Sequence, residues 1–259
     1  MAIYGYVSMA SFFRGIVFFL LPALTYTGAC KANSNLERFT KVYQHNLWRG
    51  KNSVSGYGSD LWATVSICAW IPRALRAINA KIVLDAPCGD FHWMKEVDLS
   101  GVIEYVGADI VPELVKSNQE KFGSEKRCFV QLDLVRDSLP SADVLLCRDF
   151  LIHLATDDII RFITNLKRSD IRYVITNTYK QPTSNTDITQ VQLAEKPETG
   201  RHVNLEISPY NFPPPLLAIK ESYPYRGSIS KKQLQKWESM GKYLALWRVD
   251  DIPMPDSVT

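Results

Sequence analysis

Acidic residues follow four successive apolar runs of the chain, and their type and spacing could do chemistry. The runs end at Asp85, Asp109, Asp133 and the pair Arg148–Asp149. If the runs are parallel strands, their carboxyl ends share one edge of a sheet, where open α/β folds bind ligands. Asp109 follows Asp85 at roughly the 20-residue spacing from which a carboxylate accepts the hydroxyls of a ribose. We therefore expect these carboxylates to surround one ligand.

The turn after the first run, APCGD at Ala86–Asp90, indicates what kind of ligand that would be. Gly89 lets the backbone approach a ligand closely. The turn does not match the GxGxxG pattern of dinucleotide-binding proteins, because Pro87 and Cys88 stand where a pyrophosphate needs bare backbone. A nucleoside without phosphates needs less from such a turn. An adenosine-bearing methyl donor therefore fits better than NAD does.

Two residues after the fourth run are candidates for a general base. Asp149 and His153 lie four apart, so they share a face if the chain is helical there. An imidazole titrates in the range needed to take a proton from a hydroxyl, and a neighbouring carboxylate would hold it in one tautomer. The alternative is a structural, half-buried histidine. Asp149, Asp187 and His202 have no recognisable metal-ligand spacing, so we predict no metal site.

A long polar stretch, Thr183–Asn204, has turn-forming residues throughout and no convincing periodicity. Stretches of this kind within a compact domain are usually functional loops or disordered segments. Its polar residues include Asn185, Asp187, Arg201 and Asn204. We expect it to form a polar lid over a hydroxyl-rich acceptor such as a sugar.

Short apolar runs alternate with helical segments from Lys81 onward, which predicts a parallel sheet with helices on both faces. Two closely spaced final runs predict an antiparallel pair. The predicted strands are 81–86, 104–110, 128–134, 142–149, 172–179, 216–224 and 242–249. The predicted helices are 38–48, 61–78, 112–123 and 156–169, the last with Thr156 as its N-cap.

The first thirty residues have the pattern of a targeting segment. Their one charged residue, Arg14, precedes an apolar stretch and then small residues, as in a secretory signal. The apolar stretch is shorter than the roughly 20 residues of a spanning helix, and Pro22 interrupts it. We expect a signal peptide or a membrane anchor acting through residues 9–29, and a leader without targeting function is the alternative. The protein would then be membrane-associated or secretory, or cytoplasmic if the leader has no role.

The composition is that of an ordinary globular protein. The chain has 259 residues, 46% of them hydrophobic, so it can bury a core without disulfide or metal staples. A net charge of +3 is too mild to predict a nucleic-acid partner, and the most basic segment, 228–237, is typical of a solvated helix start. The five scattered cysteines indicate buried free thiols in a reducing compartment, which conflicts with a secretory leader.

Four motifs, in this order, resemble those of class I S-adenosylmethionine-dependent methyltransferases. They are VLDAPCGDFHWM, YVGADI, VQLDL and ADVLLCRDFLIHL, and the most similar subgroup has DAPCGD in place of the commoner DxGxGxG. The similarity spans about residues 39–249. It implies an α/β fold with a seven-stranded, mostly parallel, Rossmann-like methyltransferase sheet, helices on both faces and a C-terminal antiparallel hairpin. The domains would be a hydrophobic leader (1–30), a helical extension (31–80) and the methyltransferase domain (81–259).

The resemblance also implies a role for each motif residue toward the cofactor S-adenosylmethionine. The residues expected to line its methionine part are Asp85, Ala86, Cys88 and Gly89. The residue expected to bind the ribose hydroxyls is Asp109. Those expected around the adenine are Ile110, Asp133 and Leu134. Those expected to close over the carboxylate are Ser55, Gly56 and Gly58.

We therefore predict a methyltransferase acting on an oxygen of a sugar, a glycan or another small polar acceptor, with Asp149 and His153 as its catalytic residues. Two alternatives stay open at this point. One is a methyltransferase with a protein or natural-product acceptor, and the other is a degenerate module that binds the cofactor without chemistry. The missing glycines disfavour an NAD-dependent dehydrogenase.

Overall fold

The computed structural model describes residues 35–222, 235 and 238–255. The predictions for the leader, residues 1–30, lie outside this part of the chain, as do those for the basic segment 228–237 apart from position 235. Within the described ranges, no helix is long and apolar enough to cross a membrane. A targeting role of the leader therefore stays a prediction.

The described residues form seven strands and five α-helices. The strands are β1 (Ile82–Asp85), β2 (Glu104–Asp109), β3 (Arg127–Gln131), β4 (Val144–Cys147), β5 (Tyr173–Tyr179), β6 (Leu217–Lys220) and β7 (Lys242–Arg248). The helices are α1 (Asn35–Gln44), α2 (Leu61–Ala77), α3 (Pro112–Phe122), α4 (Thr156–Arg168) and α5 (Gln190–Glu195). All seven strands belong to one sheet in the order β3-β2-β1-β4-β5-β7-β6.

Strands β1 to β5 run parallel, β7 is antiparallel to β5, and β6 is antiparallel to β7. The predicted seven-stranded, mostly parallel sheet with a C-terminal antiparallel pair is therefore confirmed. The reversal of β7 has a consequence for the site. Lys242, the first residue of β7, pairs with Tyr179, the last residue of β5, and Glu221 directly follows β6. Both charged residues therefore lie at the edge where β1 to β5 end.

Helices cover both faces of the sheet because successive strand residues point to opposite sides. Leu84 and Leu145 pack in a core with α4, whereas Val83 and Val144 pack in a second core with α2. Each such buried side chain contributes about 1.5–3 kcal/mol relative to exposure. Phe39 of α1 joins the first core, so both helices before β1 pack in the cores that hold the sheet.

Several predicted elements are longer than the observed ones, as for the strands predicted over 142–149 and 216–224, and for two elements the structure shows why they end early. The helix predicted over 38–48 is α1, which ends earlier because Asn46 and Arg49 adopt left-handed backbone conformations with φ of 44° and 56°. The strand predicted over 128–134 is β3, which ends before Asp133. The Asp133 Oδ1 atom accepts the N–H of Val135 at 2.9 Å, which turns the chain there.

The start of α4 corrects the prediction that Thr156 is an N-cap. Thr156 is the first helical residue, and its N–H and hydroxyl donate to Asp187 Oδ1 at 2.7 Å and 2.8 Å. A carboxylate from a distant loop therefore caps the helix. That loop also contains α5, which the sequence analysis missed and which begins with a capping box formed by Thr189 and Gln192.

Candidate active site

A cavity of about 320 Å³ lies at the carboxyl edge of the sheet. This volume is within the range of small-molecule sites, about 300–1,000 Å³. Its wall includes every residue that the sequence analysis singled out for the cofactor or for catalysis: Ser55, Gly56, Gly58, Asp85, Ala86, Cys88, Gly89, Asp109, Ile110, Asp133, Leu134, Asp149 and His153. The strand-end carboxylates thus surround one hollow, while their individual roles stay predictions.

The backbone N–H groups of the turn after β1 are all bonded within the protein. Pro87 has no N–H, and the other four donate, in chain order, to Leu146 O, Ala108 O, Asp109 Oδ2 and Ser55 Oγ, at 2.9, 2.7, 3.1 and 3.3 Å. A pyrophosphate at this position needs free N–H donors. The turn therefore suits a ligand without phosphates. The same turn holds Gly89 at φ of +55°, and a Cβ added to this residue would lie 2.4 Å from Ser55 Oγ.

Asp109 ends β2 as a buried carboxylate. Its two oxygens accept the N–H groups of Gly89 and Val111, each at 3.1 Å. Burial raises the pKa of Asp109 to about 6, although both N–H groups favour the ionised form. A carboxylate has about four lone-pair sites, so acceptor capacity is left for the two hydroxyls of a ribose.

Asp85 ends β1 and is also buried. The hydroxyl of Tyr105, on the neighbouring strand β2, donates to Asp85 Oδ2. Burial raises the pKa of Asp85 to about 7, against the opposing effect of this hydrogen bond. The Tyr105 hydroxyl therefore fixes the direction in which Asp85 presents its other oxygen.

The wall near the ends of β2 and β3 is a slot with apolar sides and one acid. Ile110, Leu132 and Leu134 supply the apolar sides. Asp133 is half-buried in the turn described above, and burial raises its pKa. A flat heterocycle with polar edge groups matches such a slot.

The loop before α2 reaches the turn after β1 through Asp90. The Asp90 carboxylate accepts the Ser53 hydroxyl at 2.9 Å and the N–H of Val54 at 3.0 Å. These bonds hold residues 53–59 over the cavity. Gly56 of this loop has φ of +88°, and a Cβ on it would lie 3.0 Å from Trp48 Cβ, whereas one on Gly58 would make a tight contact of 3.3 Å with an Asp149 oxygen.

Four ionised side chains meet where β4, β6 and β7 reach this edge: Arg148, Asp149, Glu221 and Lys242, which we call the charged quartet. Lys242 Nζ lies 2.7 Å from Asp149 Oδ1 and 3.1 Å from Glu221 Oε2. Arg148 binds Glu221 through two nitrogens, at 2.8 Å and 3.3 Å, and lies 3.3 Å from Asp149. Asn177 of β5 joins them, donating to Glu221 Oε1 at 2.7 Å and accepting the N–H of Asp149 at 2.6 Å.

The quartet keeps both of its acids ionised. Burial alone would raise the pKa of Asp149, but Arg148 and Lys242 outweigh it and lower that pKa to about 2. The same two cations lower the pKa of Glu221 against burial. A carboxylate with so low a pKa is a poor proton acceptor. The geometry therefore suits Asp149, whose backbone has φ of 56°, for orienting a ligand rather than for taking its proton.

His153 lies in a 3-10 turn, Leu151–His153, and not in the α-helix on which its predicted pairing with Asp149 depended. Its Nδ1 lies 2.9 Å from the carbonyl oxygen of Thr199. Because a carbonyl can only accept, Nδ1 carries the hydrogen and Nε2 has the lone pair. The Thr199 carbonyl, and not a carboxylate, thus fixes the tautomer. Burial lowers the pKa of His153, so the ring is neutral and able to accept a proton at Nε2.

The prediction of a polar lid over 183–204 is wrong for the residues that suggested it. Asn185 donates to the carbonyls of Asn204 and Ser208, at 2.8 Å and 2.9 Å. Arg201 donates to backbone carbonyls and Asp187 caps α4. None of these side chains lines the cavity. The segment acts through its backbone instead, since its carbonyls accept from Trp48 and His153, which line the cavity, and from Arg38 of α1.

The described part of the chain contains neither an activated thiol nor a cluster of metal-ligating side chains. The described cysteines are free, and burial raises the pKa of Cys88 well above its ordinary value, which makes it a poor nucleophile. No group of three or more His, Cys, Asp or Glu among the described residues could hold a metal ion.

Three solved methyltransferases resemble this fold. N-methyltransferase NodS from Bradyrhizobium japonicum, solved with S-adenosylhomocysteine, has a TM-score of 0.52 and 10% identity, covering 80% of this chain and 97% of its own. Magnesium protoporphyrin IX methyltransferase from Synechocystis, solved with S-adenosylmethionine, has a TM-score of 0.51 and 18% identity, and the match covers 84% of this chain and 99% of that protein. Human N-acetylserotonin methyltransferase, also solved with S-adenosylmethionine, has a TM-score of 0.50 and 15% identity, and the match covers 83% of this chain and 62% of that protein. The chain has a methyltransferase fold.

At these identities the likeness concerns the fold. No protein-family model matches the sequence, and no curated protein matches it either. The roles of residues in this methyltransferase fold therefore depend on the geometry of the cavity itself. That geometry adds residues that sequence reasoning missed, namely Trp48, Asp90, Tyr105, Asn177, Glu221 and Lys242. Of these, Asp90 and Tyr105 stood in quoted motifs, where neither was given a role.

Proposed function

We propose that the protein is an S-adenosylmethionine-dependent methyltransferase that methylates a hydroxyl group of a small polar acceptor such as a sugar. The observation that carries this proposal is the turn after β1. Its N–H groups are consumed internally, and one of them is bonded to the carboxylate at the end of β2. This arrangement favours a nucleoside over a dinucleotide. The fold likeness to methyltransferases solved with S-adenosylmethionine or S-adenosylhomocysteine supports the same choice.

The cavity residues fit each part of this cofactor. Asp109 would accept the ribose hydroxyls, and the slot with Ile110 and Leu134 would hold the adenine. Asp85 would face the positively charged methionine end, since a carboxylate there favours a sulfonium and an ammonium. Ser55 and the neighbouring glycines would close over the carboxylate.

The transfer itself needs alignment more than acid or base strength. A sulfonium carries an activated methyl group, so in-line placement of the acceptor oxygen in a dry cavity supplies much of the rate. The acceptor hydroxyl loses its proton as the new C–O bond forms. His153 Nε2 is the group whose tautomer and neutral state suit it to take that proton. Asp149, held ionised by Lys242 and Arg148, would orient the hydroxyl.

Aromatic rings form much of the wall at the His153 end. Trp48 lies with its ring centroid 5.0 Å from that of His153, and Tyr57 and Tyr179 also line the cavity. Aromatic faces provide flat apolar area, while a few polar groups set orientation. A sugar ring, with an apolar face and polar edges, matches such a wall.

Binding and turnover test the proposal separately. Calorimetry should show that S-adenosylmethionine and S-adenosylhomocysteine bind and that NADH does not. Formation of S-adenosylhomocysteine should then be followed with panels of sugars, phenols and peptides. Binding without turnover on any panel would favour a degenerate module. Binding of NADH in place of both sulfur compounds would overturn the proposal.

A further inference from the structure

The charged quartet lies at the part of the cavity left over once the proposed cofactor is placed. The cofactor would occupy the ends of β1, β2 and β3, where Asp85, Asp109 and Asp133 lie. The quartet lies at the ends of β4 and β6 and at the start of β7. Asp149 and Lys242 line the cavity there together with His153. An acceptor aligned with His153 therefore meets the quartet.

Glu221 differs from the other three members because it does not line the cavity. Its side chain is fully buried behind Arg148 and Lys242, and it is bonded to both. It therefore acts on the cavity indirectly, through the charge of those two cations and through Asn177, which links it to Asp149. If Glu221 carried no charge, the single negative charge of Asp149 would balance only one of these two cations.

We propose that Glu221 is a specificity-determining residue that makes this end of the cavity select uncharged acceptors over anionic ones. With Glu221 in place, two acids balance two cations and the quartet has no net charge. Without its charge, Arg148 and Lys242 would face the single carboxylate of Asp149, and the acceptor end would be positive. This inference rests on the proposed function and names the acceptor class that the same site would take.

The remaining charges of the cavity point the same way. The acids Asp85, Asp90, Asp109 and Asp133 also line it. Among the described lining residues, the Lys and Arg side chains are Lys242 and Arg148, and both are already paired. A carboxylate or phosphate on the acceptor would enter an acidic cavity without a free cation from the described residues to receive it. Such an unpaired, desolvated charge is strongly disfavoured.

Matched acceptor pairs that differ only in charge provide the test. Suitable pairs are glucuronic acid with glucuronamide, and 4-hydroxybenzoate with 4-hydroxybenzamide. For each pair, the ratio of kcat/KM for the amide to that for the acid is measured from S-adenosylhomocysteine formation. A ratio is unaffected by a general loss of folded protein, so it separates selection from stability.

The wild-type protein should prefer the amide at least tenfold. Glu221→Gln should reduce this preference about tenfold, because one unit of positive charge is uncovered in a partly buried site. Lys242→Gln, if Glu221→Gln does not fold, should change the ratio in the opposite direction. Glu206→Gln is the matched control, since Glu206 pairs with Lys180 away from the cavity, and its ratio should equal that of the wild type.

The failures of the two proposals can be told apart. A wild-type preference for the acid, or a ratio unchanged in both quartet variants, would overturn the role of Glu221 and leave the methyltransferase proposal standing. S-adenosylmethionine binding with no turnover of either pair or of any acceptor on the panels would overturn the proposed function, and the inference with it.

Discussion

Replacing Asp109 with asparagine should stabilise the folded protein near neutral pH while weakening cofactor binding. Asp109 is buried, and its carboxylate has its pKa raised from 3.8 to about 6 by that burial. The folded protein therefore holds an ionised carboxylate at neutral pH at the expense of its own stability. Such a trade-off is expected where a group serves a ligand rather than the fold.

The magnitude follows from the pKa. A rise from 3.8 to about 6 corresponds to about 3 kcal/mol of destabilisation above pH 6. Because the folded-state pKa is the higher one, the wild-type protein does not have this destabilisation below about pH 3.8. It loses the stability progressively as the pH rises from there towards 6. Asparagine removes that loss but accepts only one of the N–H groups of Gly89 and Val111, which costs about 1–2 kcal/mol. We expect a net gain of about 1–2 kcal/mol at pH 7.5.

Urea unfolding of the ligand-free protein at pH 7.5 and pH 4.5 measures this effect. The free energy of unfolding of Asp109→Asn, relative to that of the wild type, should be about 2 kcal/mol lower at pH 4.5 than at pH 7.5. Asp85 titrates in the same range, and the charge of Asp109 is one cause of its raised pKa, so removing that charge relieves Asp85 as well and changes the difference in the same direction. Asp170→Asn, at an exposed acid after α4, is the control. Calorimetry should show S-adenosylmethionine binding weakened by about 1–3 kcal/mol.

A variant that is less stable than the wild type by the same amount at both pH values would refute this reasoning. It would show that Asp109 serves the fold through its two hydrogen bonds, and that burial of its charge is not costly. Unchanged cofactor affinity would separately remove Asp109 from the ribose site.

Three further substitutions test other parts of the cavity. His153→Gln should lower kcat about 100-fold without changing the Kd for S-adenosylmethionine, and wild-type kcat should rise with pH through a midpoint below the ordinary histidine value, because burial lowers this pKa. Gly89→Ala, at φ +55° with its Cβ 2.4 Å from a serine hydroxyl, should weaken cofactor binding at least tenfold in calorimetry and lower stability by about 1–2 kcal/mol in urea unfolding. Tyr105→Phe should weaken cofactor binding about three- to tenfold by the same calorimetry, because Asp85 loses the hydroxyl that orients it.

Each of these has its own check. A near-normal kcat for His153→Gln would return this residue to a structural role. Gly101→Ala, where nothing lies within 4 Å of the added Cβ, should leave cofactor affinity unchanged. Equal effects of Gly89→Ala and Gly101→Ala would contradict the strain argument, and unaltered affinity in Tyr105→Phe would show that Asp85 needs no orientation.

Local sequence patterns determined the sheet and the gathering of its acids. Runs such as Ile82–Leu84 and Val144–Cys147 are apolar throughout, as is typical of strands buried on both faces. Parallel strands end at one edge, so placing an acid after each run was enough to predict that Asp85 and Asp109 share a cavity. This rule accounts for the strand-end acids, whereas Ser55, Gly56 and Gly58, from the loop before α2, were expected only from the family resemblance.

Local patterns were less informative where a distant residue completes an element. The sequence marks Thr156 as a cap, but Asp187 does the capping from another part of the chain. It also suggests that Asp149 sets the tautomer of His153, whereas the Thr199 carbonyl does so. Hydrogen bonds between remote segments have no periodic signature, so the sequence around either partner does not predict them.

The sequence by itself thus determined the strands, the shared edge at which their acids meet and the class of ligand that the turn after β1 excludes. Only the tertiary structure decided the chemistry at the far end of the cavity. Glu221 directly follows β6 and Lys242 is the first residue of β7, and both reach this edge because β7 runs antiparallel to β5 and β6. The antiparallel pair was expected from the sequence, but the register that places Lys242 opposite Tyr179 is set by packing of the sheet and not by local propensity, so the pairing with Arg148 and Asp149 could be seen only in the folded protein.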